Sequence, residues 1–258
     1  MRLKGFWETH KKALVSYMMA GYPDYETSLE AFRILLKEGS HILEIGFPFS
    51  DPVADGPTIQ LAHEVALKGG TKSKEVFELT LKLRKDFPNT PFLLMTYYNP
   101  VFRMGLENFC KRAVEAGIDG FIVPDLPPEE GGELKKVCDF YGLSLVFLAS
   151  PTSTQERLRL ICDASHHMVY FVSLTGTTGA REILPMDRLV EKLGFYRSIC
   201  QKPVVVGFGI SKPEQARDIC RFADGIVVGS HFVKLAGERK IEELARSVRD
   251  ISKAVLEY

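Results

Sequence analysis

Ile42-Leu43-Glu44-Ile45-Gly46-Phe47-Pro48-Phe49-Ser50-Asp51-Pro52-Val53-Ala54-Asp55-Gly56-Pro57 is an apolar run with a carboxylate at its centre, followed by a loop punctuated by three prolines. The run is short, continuously apolar and stopped by Gly46, which predicts a strand buried on both faces. A charge inside such a strand is costly unless it is paired or used. Two readings of Glu44 follow. It is a buried acid neutralised by a lysine or arginine, or a chemical group placed near the strand's C-terminal end. Asp55 is a second carboxylate, eleven residues on, in the more hydrated loop.

Working outward, runs of the same kind recur at Ala13–Ala20, His41–Gly46, Pro91–Tyr97, Gly120–Pro124, Ser144–Ala149, Met168–Ser173, Pro203–Phe208 and Gly225–Gly229. Segments with helical spacing lie between them, such as Leu29 to Leu36 and Phe109 to Ala116. Gly39, Gly117 and Gly142 mark helix stops, and Pro23-Asp24, Ser153-Thr154 and Ser211-Lys212-Pro213 mark starts. Eight strands, each followed by a helix, in a 258-residue chain fit a closed (β/α)8 TIM barrel better than an open sheet. Nor does a G-x-G-x-x-G follow the first strand, where Gly21-Tyr22-Pro23-Asp24 stands instead. The stretch Thr58 to Phe87 has room for two helices, and the residues before Ala13 predict an extra helix under the barrel. The expected fold is thus α/β: one TIM-barrel domain over residues 1–258, with an extra N-terminal helix and a mobile loop after strand six.

Composition removes several function classes. With 33 basic and 33 acidic residues the chain lacks the basic stripe of a nucleic-acid binder. No signal-like segment and no apolar run of membrane-spanning length is visible, which predicts a cytoplasmic protein. The cysteines at 110, 138, 162, 200 and 220 are scattered and odd in number, the pattern of reduced thiols. No metal site is expected: His166 and His167 are adjacent and would face opposite ways on a strand, and no Cys/His ligand spacing occurs. His63 reads as a surface or interface residue.

In a barrel of this kind the chemistry sits at the C-terminal ends of the strands. Loop two carries Asp51 and Asp55. Loop six, Ser173 to Pro185, is long and rich in glycine and threonine, the composition either of a lid or of an ordinary surface loop. Loop seven is Gly207-Phe208-Gly209-Ile210-Ser211, and loop eight is Val228-Gly229-Ser230-His231. Glycines there let bare amides approach an anion at a helix N-terminus, which predicts a phosphate site. Tyr170, in strand six, is equally compatible with core packing and with a substrate contact.

The block from Leu43 to Gln60, together with Thr177-Thr178-Gly179, Gly207 to Ser211 and Val228-Gly229-Ser230 in the same order, resembles the tryptophan synthase α-subunit family across essentially the whole chain. The resemblance implies retro-aldol cleavage of indole-3-glycerol phosphate to indole and glyceraldehyde 3-phosphate. Glu44 would protonate indole C3 and then take the 3′-hydroxyl proton. Asp55 would accept the indole N1–H, with Tyr170 beside the acid. Thr178 would be the lid residue that meets the loop-two aspartate. Phosphate would rest on amides around Gly179, Gly209, Gly229 and Ser230, next to Gly207 and Phe208. Burial on a strand favours a neutral Glu44, whereas loop hydration favours an ionised Asp55, giving an acid and a base from one residue class. Tyr17 and Met95 fall in the indole pocket where phenylalanine and leucine are familiar, and His63 replaces a familiar asparagine.

The family also implies a partner, a pyridoxal-phosphate-dependent β subunit in an α2β2 complex, with no cofactor in this chain. Interface positions carried over are Asp51 and Pro52 of loop two and Asn99, Pro100 and Phe102 of the loop after strand three. Pro100-Val101-Phe102 reads either as an apolar contact patch or as a plug in the barrel rim. The rival readings are a stand-alone indole-3-glycerol phosphate lyase and a non-catalytic regulator of the β subunit. The related synthase that makes indole-glycerol phosphate would carry a lysine on a strand, and none is found; Lys202 precedes strand seven and Lys234 follows strand eight.

Overall fold

The computed structural model describes residues 1–175, 182–207 and 209–257, with backbone alone at 174–175 and 182–183. The chain runs α1 (Arg2–Thr9), β1 (Ala13–Met19), α2 (Tyr25–Lys37), β2 (Ile42–Gly46), α3 (Pro57–Lys68), α4 (Ser73–Asp86), β3 (Phe92–Met95), α5 (Tyr98–Met104), α6 (Leu106–Glu115) and β4 (Gly120–Ile122). It continues through α7 (Gly132–Tyr141), β5 (Ser144–Val146), β6 (Leu148–Ala149), α8 (Gln155–Ala164), β7 (Val169–Val172), β8 (Leu174–Thr175) and β9 (Glu182–Ile183). The last elements are α9 (Met186–Ile199), β10 (Val204–Gly207), α10 (Pro213–Cys220), β11 (Gly225–Val228), α11 (Ser230–Gly237) and α12 (Ile241–Leu256).

Nine parallel strands form one sheet in the order β5-β4-β3-β2-β1-β11-β10-β7-β6. Only Phe147 separates β5 from β6, so the order begins and ends in one stave and the sheet curls back on itself. Counted as staves there are eight, at the eight places the apolar runs predict. The short β8–β9 pair is antiparallel and stands apart, with Leu174 opposite Ile183. It follows the sixth stave, and the hydroxyl-rich composition there gave no sign of it.

Two apolar layers hold the barrel together. The interior cluster takes Ala13, Val15, Ile42, Leu93, Ile122, Val146, Met168, Val205 and Val227 from successive strands. Leu3 and Phe6 of α1 join it, so the predicted extra helix plugs one end of the barrel. The opposite face of each strand packs against the helices, with Leu14, Leu43, Ile45, Leu94, Phe121 and Phe171 in that second cluster. Local signals agree with this frame. Asp24 caps α2 by accepting from Thr27 N–H at 2.9 Å, and Thr154 caps α8 through Arg157 N–H. Gly142 ends α7 in the left-handed region at φ 68, where a side chain would be strained.

The thiol expectation needs correction. Cys162, on α8, and Cys200, closing α9, are joined in a disulfide across a sequence separation of 38. Cys110, Cys138 and Cys220 are free and buried. Spacing in the sequence could not show the pairing, because the contact exists only where α8 and α9 pack side by side. The bridge closes a 38-residue separation in the unfolded chain, worth about 4 kcal/mol. Reduction, or Cys200→Ser, is therefore expected to lower the thermal unfolding midpoint by roughly 8–16 °C. A midpoint indifferent to reductant would contradict a structural role for the bridge.

Candidate active site

Strand alternation decides which side chains reach the barrel interior. In β2, Ile42 joins the interior cluster whereas Leu43 and Ile45 join the layer under the helices, so Glu44 faces inward. In the sixth stave Met168 and Tyr170 face inward for the same reason, with Val169 and Phe171 outward. The register sets Tyr17 of β1 on one side of Glu44 and Leu93 of β3 on the other. Glycines make room for the two inward tyrosines. A Cβ on Gly46 would lie 2.4 Å from the Tyr17 hydroxyl, and one on Gly207 would lie 2.3 Å from that of Tyr170.

These residues line a cavity of about 260 Å³. Tyr17, Glu44, Asp55 and Tyr170 form its polar and aromatic part, with Ile59, Met95 and Val227 among the apolar walls. Gly209, Ser211, Gly229 and Ser230 border it as well, together with His231 and Lys234 of α11. Of the residues expected from sequence, Gly207 lies beneath Tyr170 and does not itself line the cavity. Thr178, Gly179 and Phe208 lie outside the described residues, as do residues 176–181 of the loop read as a lid.

Glu44 is 1 % exposed and its Oε2 has no hydrogen-bond partner among the described residues. Nor does any lysine or arginine pair with it there, which removes the structural ion-pair reading. Burial first, and the neighbouring Asp55 charge second, push its carboxyl up to about 8. Glu44 is thus a neutral acid near pH 7. The same burial drives the Tyr17 and Tyr170 phenols well above their ordinary value, with both carboxylates adding to the effect.

Asp55 is held differently. The Tyr97 hydroxyl, just past β3, donates to Asp55 Oδ2 at 2.8 Å, and its oxygen accepts from Ala54 N–H at 3.0 Å. Burial and then Asp55 raise the Tyr97 phenol, so it stays a donor. His63 Nε2 of α3 lies 3.1 Å from the same Oδ2. Both contacts fall on Oδ2, which leaves Oδ1 for a ligand. Sequence reasoning missed Tyr97 and placed His63 at the surface, whereas it is 3 % exposed. The sequence carries no local mark of this contact, because Asp55 lies in the loop before α3 and only the fold turns His63 back onto it.

The far side of the cavity suits an anion. Ser230 opens α11, so first-turn amides there have no intrahelical acceptor. Gly209 turns at φ 78, a conformation that a side chain would resist. Lys234 is the one lysine lining the cavity among the described residues, and it sits on a helix and not on a strand. No group of three or more metal-ligating side chains exists among the described residues.

In loop two, Asp51 is exposed, Pro52 half-buried and Val53 75 % exposed, and the three line a second pocket with Phe49 and His63. The Asn99–Phe102 segment is not a loop, as expected from sequence, but most of α5. Pro100 is tolerated there because it falls in the first turn, where amides lack partners anyway. Of its apolar residues, Val101 is fully buried in the layer under the helices and Phe102 is 67 % exposed. Phe49 stacks on Tyr97 at 5.2 Å, which ties loop two to the start of α5.

A family model described as tryptophan synthase alpha chain matches residues 3–256. A tryptophan synthase alpha chain from Aquifex aeolicus is 64 % identical over 250 residues, covering 97 % of this chain and 95 % of its own length. Among solved structures, tryptophan synthase subunit alpha from Legionella pneumophila superposes with a TM-score of 0.89 at 33 % identity, covering 100 % of this chain and 97 % of that one. Tryptophan synthase from M. tuberculosis, in an aminoacrylate-bound form, gives 0.88 at 32 % identity, with 98 % and 99 % covered. The barrel fold accords with these matches, and this chain belongs to the tryptophan synthase alpha chain family.

Proposed function

We propose that Glu44 and Asp55 carry out in this chain the lyase reaction of its family, the cleavage of indole-3-glycerol phosphate to indole and glyceraldehyde 3-phosphate in tryptophan biosynthesis. The observation that carries this reading is the unpartnered, neutral Glu44 carboxyl aimed into the cavity opposite a firmly held Asp55.

Glu44 delivers its proton to indole C3 while Asp55 Oδ1 accepts the N1–H, and the ring becomes an indolenine. The Glu44 carboxylate so formed removes the proton of the 3′-hydroxyl. The C–C electrons then flow into the ring, N1 regains its hydrogen, and the hydroxyl-bearing carbon leaves as the aldehyde of glyceraldehyde 3-phosphate. Glu44 gives one proton and takes one back, so the cycle closes without a cofactor step. Tyr170 and Tyr17 wall the acid and keep it dry. Gly209, Gly229 and Ser230 hold the phosphate through backbone amides, a role that the family resemblance gives to Gly179 as well.

The partner, on this reading, is a pyridoxal-phosphate-bearing β subunit in an α2β2 complex. Val53 and Phe102 are apolar, exposed and on elements joined by the Phe49–Tyr97 stack, which supports a docking face that includes Asp51, Pro52, Asn99 and Pro100. No described helix is long and apolar enough to cross a membrane. The test is indole release from indole-3-glycerol phosphate by the purified chain, with and without a tryptophan synthase β subunit. Weak release that rises sharply with the β subunit is expected. Full activity alone would make the chain a stand-alone lyase, and none in either condition would overturn the reading.

A further inference from the structure

His63 is a buried, directed imidazole that the reaction scheme leaves unused. Its Nδ1 lies 2.9 Å from the Phe49 backbone N–H, and an amide N–H can only donate. Nδ1 is therefore the acceptor nitrogen, and a neutral ring carries its proton on Nε2. That nitrogen faces Asp55 Oδ2 at 3.1 Å, so the bond runs from His63 to the carboxylate. The tautomer is set by a backbone group, and the direction of the Asp55 contact follows from it.

The arrangement does two things that Tyr97 alone cannot. A carboxylate fixed through one donor to one oxygen still swings about that contact. Donors from two elements, Tyr97 after β3 and His63 on α3, converge on Oδ2 and fix the plane in which Oδ1 is presented. The imidazole also ties both ends of loop two to α3, Phe49 through Nδ1 and Asp55 through Nε2. Its side chain is 4 % exposed and that of Asp55 5 %, so water does not compete for these bonds.

We propose that His63 is a positioning residue for indole cleavage: as the Nε2–H tautomer it orients Asp55 so that Oδ1 meets the indole N1–H. This inference rests on the assignment of Asp55 to that role. Its energetic logic is geometric, since misplacing a catalytic group by about 1 Å costs on the order of 100-fold in rate.

The test compares His63→Gln with His63→Phe in the full chain, with Asp55→Asn beside them. Glutamine presents an amide N–H about where Nε2 sits; phenylalanine fills the volume and offers no donor. His63→Phe is expected to lose about 10–100-fold in kcat with KM for indole-3-glycerol phosphate little changed, and His63→Gln to recover most of that loss. Equal kcat in the two variants overturns the positioning role. So does a parallel fall in kcat and in thermal stability for both, which would make His63 a packing residue. Wild-type turnover in Asp55→Asn would instead overturn the underlying assignment of Asp55, whatever the His63 variants do.

Discussion

Glu44→Gln is expected to fold, to bind indole-3-glycerol phosphate, and to lose cleavage by about 10³-fold or more, since a positioned acid contributes roughly 10²–10⁴-fold and this one acts twice in the cycle. The amide has the shape and charge of the neutral acid that Glu44 is near pH 7, so packing survives. What it lacks is a proton that C3 can take. The same substitution has a signature in stability. In the unfolded chain a glutamate loses its proton near 4.5, whereas in the barrel it keeps it until about 8. Between those values the folded state binds the extra proton, so wild-type stability falls as pH rises through that window and levels off above it. The two pH units from 6 to about 8, at ~1.4 kcal/mol each, amount to about 3 kcal/mol. Glu44→Gln is spared that loss and is expected to overtake wild type between pH 6 and 9 in urea unfolding. Parallel pH profiles for the two proteins would contradict a neutral Glu44.

Asp55→Asn is expected to be as damaging, for a different reason. Tyr97 and His63 both donate to Oδ2, so the amide oxygen must take that place to satisfy them. The amide NH2 is then forced into the Oδ1 position, where it opposes the indole N1–H donor against donor. Charge stabilisation of the forming indolenine is lost, and a repulsive contact replaces an attractive one. Turnover should fall by about 10³-fold, whereas thermal stability stays close to wild type because both buried donors keep an acceptor. Cleavage within tenfold of wild type would remove Asp55 from the mechanism.

What the sequence displayed, and what it concealed, follows from the range of the interactions involved. Strands buried on both faces announce themselves as apolar runs, so the eight staves and the inward Glu44 were legible without coordinates. The plugging α1 and the paired helices α3 and α4 were legible in the same way, from chain length between strands. Gly209, Gly229 and Ser230, proposed to hold phosphate, do line the cavity, and they fall in loops whose glycine content stands out in the sequence. Concealed features depend on side chains meeting across elements. Tyr97 looked like the end of an apolar run, and only the fold brings its hydroxyl to Asp55 across 42 positions. His63 looked superficial because a lone histidine on a helix carries no local mark of its partner. The Cys162–Cys200 bridge needed α8 and α9 side by side, and α5 was hidden by Pro100, which reads as a loop former until its place in a first turn is known.

The account turns on a carboxylic acid kept protonated at neutral pH inside the barrel. The most direct measurement is an infrared difference spectrum of wild type against Glu44→Gln, taken from pH 5 to 10. A protonated-carboxyl stretch assigned to Glu44, present at pH 7 and disappearing with a midpoint of about 8, is the predicted result. A stretch already absent at pH 6 would mean that Glu44 is ionised, and the division of labour between the two acids would fall with it.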